Sequence, residues 1–350
     1  MKDIKIGHIT IGPNHKPFII AEMSGNHNQS LDRAFQIVDA AVEAGAQAIK
    51  LQTYTADTLT INANSDDFFI SDEKSLWKGK NLYQLYQEAY TPWDWHKPIF
   101  DYAIEKGLIA FSTPFDETAV DFLEALNVPA YKIASFENCD WQLLKKVAKT
   151  GKPVIMSTGA TNLSDIDESV RVLREAGCKD LILLKCTSTY PSTPENTNLK
   201  TIPNLAKSFD CIAGLSDHTM GVGVAVAAVA LGANVIEKHF CLNRAEGGVD
   251  SAFSLEPLEF KSLVQECERA YLALGEVKYG IQEAEQKSLI FKRSLYVVKD
   301  IKAGEAFTKN NIRSIRPGKG LAPKFYDLVL TKSAKYDLKL GTALGFNDIQ

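Results

Sequence analysis

Gly214-Leu-Ser-Asp-His-Thr-Met-Gly221 and Val235-Ile-Glu-Lys-His-Phe240 are two short apolar segments that each end in a polar cluster with a histidine. Residues 220–232, which lie between them, are small and apolar and have the character of a helix. The pattern predicts a strand, a loop, a helix and a second strand, with His218 and His239 just past the two strand ends. Such ends lie on one face of a parallel sheet or barrel. Two neutral imidazoles that converge there are suited to bind a divalent metal.

The composition is that of a globular protein and excludes several classes. The chain has 350 residues, is 45% hydrophobic and carries a formal net charge of -4. Because no basic patch is present, we expect no nucleic acid as a partner. The longest apolar run, at 222–231, is far too short to cross a bilayer. The six cysteines form no CxxC pair and the start resembles no signal peptide, so we expect a cytoplasmic protein with reduced thiols.

The strand–loop–helix unit recurs along the chain. Eight such units within roughly 260 residues predict an α/β fold with a (β/α)₈ barrel. A doubly wound open sheet is the rival, but it usually carries a glycine-rich turn after its first strand. Here that turn holds Glu22, Asn26 and His27 instead. Besides the two segments quoted above, the predicted strands are 18–21, 48–52, 108–111, 130–133, 153–156 and 181–184.

Changes in composition along the sequence divide the chain into two domains and a linker. We expect a barrel domain over 1–275, a polar linker over 276–290 and a small domain over 291–350. The irregular stretch 53–80 is long and rich in Asp, Ser and Asn. Its length suggests an active-site loop that covers the barrel mouth.

Lysines occur at the ends of alternate predicted strands, and a lysine is rarely buried unless it is paired. We expect four of them to converge at the barrel mouth as an electropositive cup, suited to a phosphate or a phosphate with a carboxylate. The alternative is that they pair with inward carboxylates such as Glu22, Glu137 or Glu237. The four lysines are Lys50, Lys132, Lys185 and Lys238. The hydroxyl donors expected beside them are Thr113, Ser135, Ser157, Thr158 and Ser216.

Each of the other polar residues at the strand ends has two possible roles, one functional and one structural. Glu22 is a candidate general base or the partner of a barrel lysine. Asp217 and Asp250 are candidate metal ligands or orienting residues, or they cap loops. Asn26 and His27 could hold sugar hydroxyls, although spacing alone favours a structural role for His27.

Six segments together carry a family resemblance. They are Phe18-Ile-Ile-Ala-Glu-Met-Ser-Gly-Asn-His-Asn28, Lys50-Leu-Gln-Thr53, Tyr131-Lys-Ile-Ala-Ser135, Ser157-Thr-Gly159, Gly214-Leu-Ser-Asp-His218 and Glu237-Lys-His-Phe240. On these segments the chain resembles the sialic acid synthase family over nearly its whole length, which implies a (β/α)₈ barrel followed by an antifreeze-like (SAF) domain.

Further details of the sequence distinguish branches within that family. They are Glu22-Met-Ser-Gly25, Gln52-Thr-Tyr-Thr55, Tyr131-Lys-Ile-Ala-Ser-Phe-Glu137, Lys185-Cys-Thr-Ser-Thr-Tyr-Pro191, Ser251-Ala-Phe-Ser-Leu255 and Arg293-Ser-Leu-Tyr296. In these details the chain resembles the pseudaminic acid branch.

The resemblance also implies a reaction. Phosphoenolpyruvate, 2,4-diacetamido-2,4,6-trideoxy-L-altrose and water give pseudaminic acid and phosphate, by C–O cleavage. It implies that His218 and His239 bind a divalent metal. Mn²⁺ is the expected metal, and Mg²⁺ and Co²⁺ are the alternatives. It implies a domain-swapped homodimer in which Arg316 reaches the partner's active site.

Site residues follow from the resemblance together with the strand-end pattern. The expected phosphoenolpyruvate-binding residues are Lys50, Thr113, Lys132, Ser135, Ser157, Lys185 and Ser216. The expected sugar-binding residues are Asn26, His27, Gln52, Tyr190, Asp250 and Arg316. The expected catalytic residues are Glu22, His218 and His239.

Three alternatives stay open at this stage. Synthesis of N-acetylneuraminic or legionaminic acid needs only a few changed loop residues. An aldolase could use Lys185 as a Schiff-base nucleophile. A non-enzymatic protein could bind ice or carbohydrate through its C-terminal domain.

Overall fold

The computed structural model describes residues 2–73 and 75–350. The chain forms two compact units, one that ends at Gly275 and one that comprises Glu276–Gln350. Within the described ranges, no helix combines the length and the apolar character needed to cross a membrane.

The first unit is built around a closed parallel barrel of eight strands, in the order β10-β3-β4-β5-β6-β7-β8-β9. This arrangement confirms the predicted (β/α)₈ fold. The barrel strands are β3 Phe18–Glu22, β4 Ala48–Thr53, β5 Ile109–Pro114, β6 Tyr131–Ile133, β7 Val154–Ser157, β8 Leu181–Cys186, β9 Ile212–Asp217 and β10 Val235–His239. Before them, β1 Ile4–Ile6 and β2 Ile9–Ile11 form an antiparallel hairpin.

Helices follow the strands, and most of those in the first unit bury one face against the barrel. In chain order they are α1 Leu31–Ala44, α2 Ala56–Leu59, α3 Leu82–Ala89, α4 Trp93–Glu105, α5 Glu117–Ala125, α6 Trp141–Lys149, α7 Leu163–Glu175, α8 Thr201–Phe209, α9 Gly223–Ala230, α10 Pro257–Leu274 and, in the second unit, α11 Tyr326–Leu330. The ends of α1 follow local chemistry. The Ser30 side chain accepts from the Arg33 backbone amide, and Gly45 ends the helix at a φ of 85°, where a residue with a Cβ would be strained.

The barrel strands owe their burial to continuous apolar sequence, as expected for strands covered on both faces. All residues of β3 and β10 are buried. Strand β10 closes the barrel because it pairs with β3 on one side and with β9 on the other. In this register His239 lies opposite Glu22. The carboxyl ends of β9, β10 and β3, which carry the conspicuous polar residues, are therefore adjacent.

The second unit has its own small core. Strands β11 Ser294–Val297 and β12 Ile312–Ile315 pair antiparallel. The 3₁₀ helix Glu283–Phe291, which precedes them, is largely exposed. The core side chains are Leu295, Val297, Ile301, Phe307, Ile312, Val329, Ala334, Leu338 and Leu344.

Candidate active site

A cavity of about 380 Å³ lies at the carboxyl ends of the barrel strands. This is the face on which (β/α)₈ enzymes carry their active sites, and the volume suits small-molecule ligands. Inward-facing side chains from all eight barrel strands line it. Its polar lining includes Glu22, Lys50, Gln52, Thr113, Lys132, Ser135, Glu137, Ser157, Ser216 and Glu237.

The floor of the cavity is a network of paired charges. Lys50 Nζ forms an ion pair with the Glu22 carboxylate and lies 3.9 Å from Glu237 Oε2. Lys132 Nζ lies 3.7 Å from Glu237 Oε1. The electropositive cup is therefore neutralised by carboxylates, and the alternative of inward lysine–glutamate pairs is confirmed for Glu22 and Glu237. The reason is energetic, since two ammonium groups cannot be buried so deeply without counter-charges.

Hydroxyl groups complete this network. Lys50 Nζ donates to Thr113 Oγ1 at 2.9 Å, and Lys132 Nζ donates to Ser157 Oγ at 2.7 Å. Ser216 Oγ donates to Glu237 Oε1 at 3.2 Å. The structure thus brings together five of the residues expected to hold phosphoenolpyruvate, and Ser135 lines the same cavity.

Burial shifts the ionisation of the floor. It raises the pKa of Glu22 to about 7, with Lys50 opposing the rise and Glu237 adding to it. For Glu237 burial also disfavours the charge, but Lys132 and Lys50 outweigh it and hold the pKa below its ordinary value. Burial lowers the pKa of Lys132. Near neutral pH, Glu22 is thus the carboxylate of this network most ready to exchange a proton.

Two of the four lysines do not face the cavity, and the expectation that all four converge there is wrong. Successive side chains of a strand point to opposite faces, and Cys186 lines the cavity, so Lys185 points away from it. Lys185 lines a second cavity of about 410 Å³ and donates to the Cys186 carbonyl oxygen at 2.7 Å. Lys238 also faces outward and is buried in an ion pair with Asp217 at 2.6 Å. A Schiff base at Lys185 therefore has no support from the cavity.

His218 and His239 lie side by side at the rim, with ring centroids 5.3 Å apart. His218 Nδ1 lies 3.0 Å from the Thr187 carbonyl oxygen, so Nδ1 carries the hydrogen and Nε2 carries the lone pair. His239 Nδ1 is buried and has no hydrogen-bond partner among the described residues. Burial, with further contributions from His218 and Lys50, holds the pKa of His239 well below its ordinary value, so this imidazole is neutral.

These two rings fit a divalent cation by their chemistry. His239 is neutral, and a buried nitrogen without a partner is costly unless a ligand satisfies it. Burial disfavours the charged form of His218, but the hydrogen bond to Cys186 and the charge of Cys186 outweigh it and raise the pKa of this ring, so a cation would bind at His218 in exchange for a proton. Asp250 Oδ2 lies 3.9 Å from His239 Nδ1. In the described ranges, no group of three or more His, Cys, Asp or Glu side chains has the geometry of a metal site. A cation held here therefore needs ligands from substrate or water beyond the two imidazoles.

Residues expected to bind the sugar divide into two groups. Gln52, Tyr190 and Asp250 line the cavity. Asn26 and His27 are not among its lining residues, and their contact with the sugar stays a prediction. The 3₁₀ helix Ser24–His27 turns the chain into the protein, so both side chains are used structurally.

The contacts of these two residues explain their burial. Asn26 Nδ2 donates to the Phe240 carbonyl oxygen at 2.9 Å. His27 Nε2 contacts Thr91 Oγ1 at 3.0 Å, and its ring meets Trp95 edge-on. Burial lowers the pKa of His27 to about 4, as expected of a neutral structural histidine. Arg316 follows β12 in the second unit and is exposed, and its role across a dimer stays a prediction.

Apart from Tyr190, sequence reasoning missed the aromatic part of the wall. Trp77 lies in the 53–80 stretch, and its Nε1 donates to the Val249 carbonyl oxygen at 2.9 Å, so this stretch does cover the cavity. The Tyr190 ring lies 4.5 Å from that of His218. The one available signal was the concentration of aromatic residues in loops that follow strands. The aromatic lining residues are Tyr54, Trp77, Tyr86, Phe115, Phe136, Tyr190 and Phe253.

Comparison with known proteins matches the barrel to one family and the end of the chain to another. The model of the NeuB family matches residues 37–279. The chain belongs to the NeuB family. The SAF domain model matches residues 292–350. Both matches confirm the resemblance drawn from the sequence.

Relatives of this NeuB family member span almost its whole length. It is 47% identical to pseudaminic acid synthase of Campylobacter jejuni, over 96% of this chain and 97% of that protein. It is 44% identical to pseudaminic acid synthase of Helicobacter pylori, over 95% and 98%. Among solved structures it resembles N-acetylneuraminic acid synthetase of Leptospira borgpetersenii, in complex with citrate, with a TM-score of 0.73, 32% identity and coverage of 82% and 95%.

Proposed function

We propose that the protein is a pseudaminic acid synthase. It condenses phosphoenolpyruvate with 2,4-diacetamido-2,4,6-trideoxy-L-altrose and water, and it releases pseudaminic acid and phosphate. The observation that carries the proposal is near-complete alignment with pseudaminic acid synthases at 44–47% identity. The N-acetylneuraminic acid synthetase aligns at 32%, which favours the pseudaminic product over N-acetylneuraminic acid.

The chemistry needs an anion site beside an electrophile site. C3 of phosphoenolpyruvate forms a bond to the aldehyde carbon of the open-chain sugar, and water adds its oxygen to C2. Phosphate then leaves with the oxygen that bridged it to C2. We assign Lys50 and Lys132, with Thr113, Ser157 and Ser216, to hold the phosphate and the carboxylate of the donor. Their preorganised donors stabilise charge that develops during C–C bond formation.

Glu22 is assigned to take the proton of the attacking water. Its pKa of about 7 lies near the working pH, which is where a general base is most effective. Gln52 Nε2 donates to Glu22 Oε1 at 3.0 Å and holds the carboxylate in place. After transfer, the proton on Glu22 is stabilised by burial.

The imidazoles are assigned to a cation. His218 and His239 would hold a divalent metal, Mn²⁺ in the first instance with Mg²⁺ and Co²⁺ as alternatives, which supplies Lewis acidity for the aldehyde oxygen. The aromatic residues Trp77 and Tyr190 exclude bulk water from the reacting carbons.

For the second unit we propose a role across a homodimer. The division into a barrel of 1–275, a linker of 276–290 and an SAF domain of 291–350 allows the small domain to reach the partner, where Arg316 binds the sugar. Light scattering measures the oligomeric state. Replacement of Arg316 by Ala should weaken sugar use far more than phosphoenolpyruvate binding, and equal losses for both would refute this role.

The decisive experiment is turnover with phosphoenolpyruvate and each of three sugars, the precursors of pseudaminic, legionaminic and N-acetylneuraminic acid. Phosphate release is measured with and without added Mn²⁺, and after chelation. We expect fastest release with the pseudaminic precursor. Preference for either other sugar would move the assignment to a legionaminate or N-acetylneuraminate synthase. Borohydride trapping of pyruvate on the protein would instead indicate an aldolase.

A further inference from the structure

Ser24 has a backbone conformation that favours glycine. It follows β3 directly and begins the 3₁₀ helix Ser24–His27, with a φ of 48°. Residues with a Cβ are strained in this left-handed region, whereas glycine adopts it freely. Ser24 is also 2% exposed, so solubility does not explain its side chain. A side chain kept at such a position indicates that its hydroxyl has a role.

The Ser24 hydroxyl is hydrogen-bonded to two residues that line the cavity, although Ser24 itself does not line it. Ser24 Oγ donates to Asp250 Oδ2 and accepts from Gln52 Nε2 at 3.0 Å. Both partners line the cavity, but they come from elements far apart in the chain. Gln52 lies on β4, whereas Asp250 lies in the loop after β10. Ser24 is therefore the link that sets their separation.

These contacts determine what Gln52 presents to a ligand. Its Nε2 donates to Glu22 Oε1 and to Ser24 Oγ, both at 3.0 Å. A carboxylate accepts only, so the nitrogen of the amide must face Glu22. Both hydrogens of Nε2 are then used within the protein, and the carbonyl oxygen Oε1 is left for the cavity. An acceptor at that position suits an N–H or O–H donor, such as the amide hydrogen of an acetamido group.

We infer that Ser24 is a positioning residue that orients Gln52 and Asp250 for the acetamido sugar. The inference rests on the proposed function and adds to it a residue outside the cavity lining. Without the hydroxyl, the Gln52 amide can rotate and the Asp250 carboxylate loses a donor. The phosphoenolpyruvate floor does not depend on Ser24, because Lys50 and Lys132 have their own hydroxyl partners.

The test is Ser24→Gly, which relieves the backbone and removes the hydroxyl together with the Cβ that carries it. We expect a melting temperature at or above that of the wild type, a KM for the sugar at least tenfold higher, and a Kd for phosphoenolpyruvate within twofold. Ser24→Ala keeps the strain and should show the same loss in sugar use with a lower melting temperature. Asn127→Gly is the matched control, since Asn127 is exposed on another loop with a φ of 54°, and its kinetics should be unchanged.

A double-mutant cycle distinguishes positioning from a general effect on the fold. If Ser24 acts through Gln52 and Asp250, adding Ser24→Gly to a variant that carries both Gln52→Ala and Asp250→Ala should raise the sugar KM by less than twofold. Additive losses, or a sugar KM in Ser24→Gly within twofold of the wild type, would overturn the inference. Failure of the wild type to release phosphate with any of the three sugars would instead defeat the proposed function and the inference with it.

Discussion

Binding of phosphoenolpyruvate should be accompanied by protonation of Glu22 on the cavity floor. Burial raises the pKa of Glu22 to about 7, while its neighbour Lys50 opposes the rise. A phosphate charge that shares Lys50, about 6 Å from the carboxylate at an effective dielectric constant of about 20, raises that pKa by about two further units. The bound form of the protein therefore holds a proton that the free form has largely lost at slightly alkaline pH. Glu22 takes a proton from water only in the ionised fraction of this complex, so kcat should rise with pH up to the raised pKa.

The size of the effect follows from the two pKa values. At pH 7.5 the uptake is about 0.7 proton for each phosphoenolpyruvate bound, and the Kd rises about tenfold between pH 7 and 8.5. The sign is fixed, because a group whose pKa rises on binding makes binding tighter at lower pH. The last ionisation of a phosphate monoester lies near pH 6, below this window, so it contributes little.

Calorimetric titration without sugar, in two buffers of different protonation enthalpy, counts the protons directly. Glu22→Gln should lose most of the uptake and most of the pH dependence. Glu137, whose pKa burial also raises to about 7, should supply the remainder, which the double variant removes. An uptake in Glu22→Gln equal to that of the wild type, or no uptake in the wild type, would refute the reasoning.

Three further predictions concern stability and the outward lysine. Burial lowers the pKa of His27 and of His96 to about 4, so the unfolded chain binds more protons at these positions below about pH 6.5, and each histidine subtracts about 2 kcal/mol of stability between pH 7 and 5. Because the raised pKa values of Glu22 and Glu137 add stability over the same range, the loss is measured by urea unfolding of the wild type against His27→Gln and His96→Gln, and the wild type should lose about 2 kcal/mol more on acidification than either variant. Lys185→Met should keep kcat/KM within about threefold in the phosphate-release assay, because Lys185 lies outside the catalytic cavity. Gly214→Ala should cost about 3 kcal/mol in thermal unfolding, because its Cβ would lie 2.2 Å from a backbone oxygen of β10.

Each of these has a clear opposite outcome. The same change in stability between pH 7 and 5 in the wild type and in both histidine variants would mean that the two histidines titrate normally. A loss of activity in Lys185→Met as large as that expected of Lys132→Met would return Lys185 to the substrate site. Gly223→Ala is the control for Gly214→Ala, since its Cβ would have no neighbour within 4 Å, and equal unfolding temperatures for the two variants would contradict the packing argument.

The parts of the fold that could be predicted are those with a repeated local signal. Each barrel strand is a short apolar run followed by polar residues, and eight repeats specify closure. The neighbourhood of His218 and His239 followed from strand ends alone, because parallel strands bring their carboxyl ends to one face.

The sequence was least informative where the direction of a side chain, or the path of the chain after a strand, determines whether a residue lines the cavity. Lys50 and Lys132 point into the barrel, whereas Lys185 and Lys238 point out, although all four lie near strand ends. A shift of one residue along a strand reverses the face, so the position of a strand end has to be known to a single residue. The sequence also gave no sign that the turn after β3 carries Asn26 back into the protein, away from the lining of the cavity.

The aromatic lining of the site could not be predicted, because it depends on packing between segments that are distant in sequence. Trp77 reaches the cavity through a stretch with little regular structure, and its contact with the Val249 carbonyl oxygen joins segments far apart in sequence. Aromatic residues of this kind are common in protein cores, so their identity alone does not indicate a cavity wall.

The pairing of lysines with glutamates on the cavity floor affects the rate at which an anionic donor associates with the protein. Lys50 and Lys132 are accompanied by Glu22 and Glu237, and the whole chain is negative by 4 charges. The protein therefore projects no attractive field over distances longer than the Debye length, and an anionic donor must arrive by unassisted diffusion. Ionic strength should alter the association rate little, since the favourable contacts form only when the donor displaces carboxylates from the lysines.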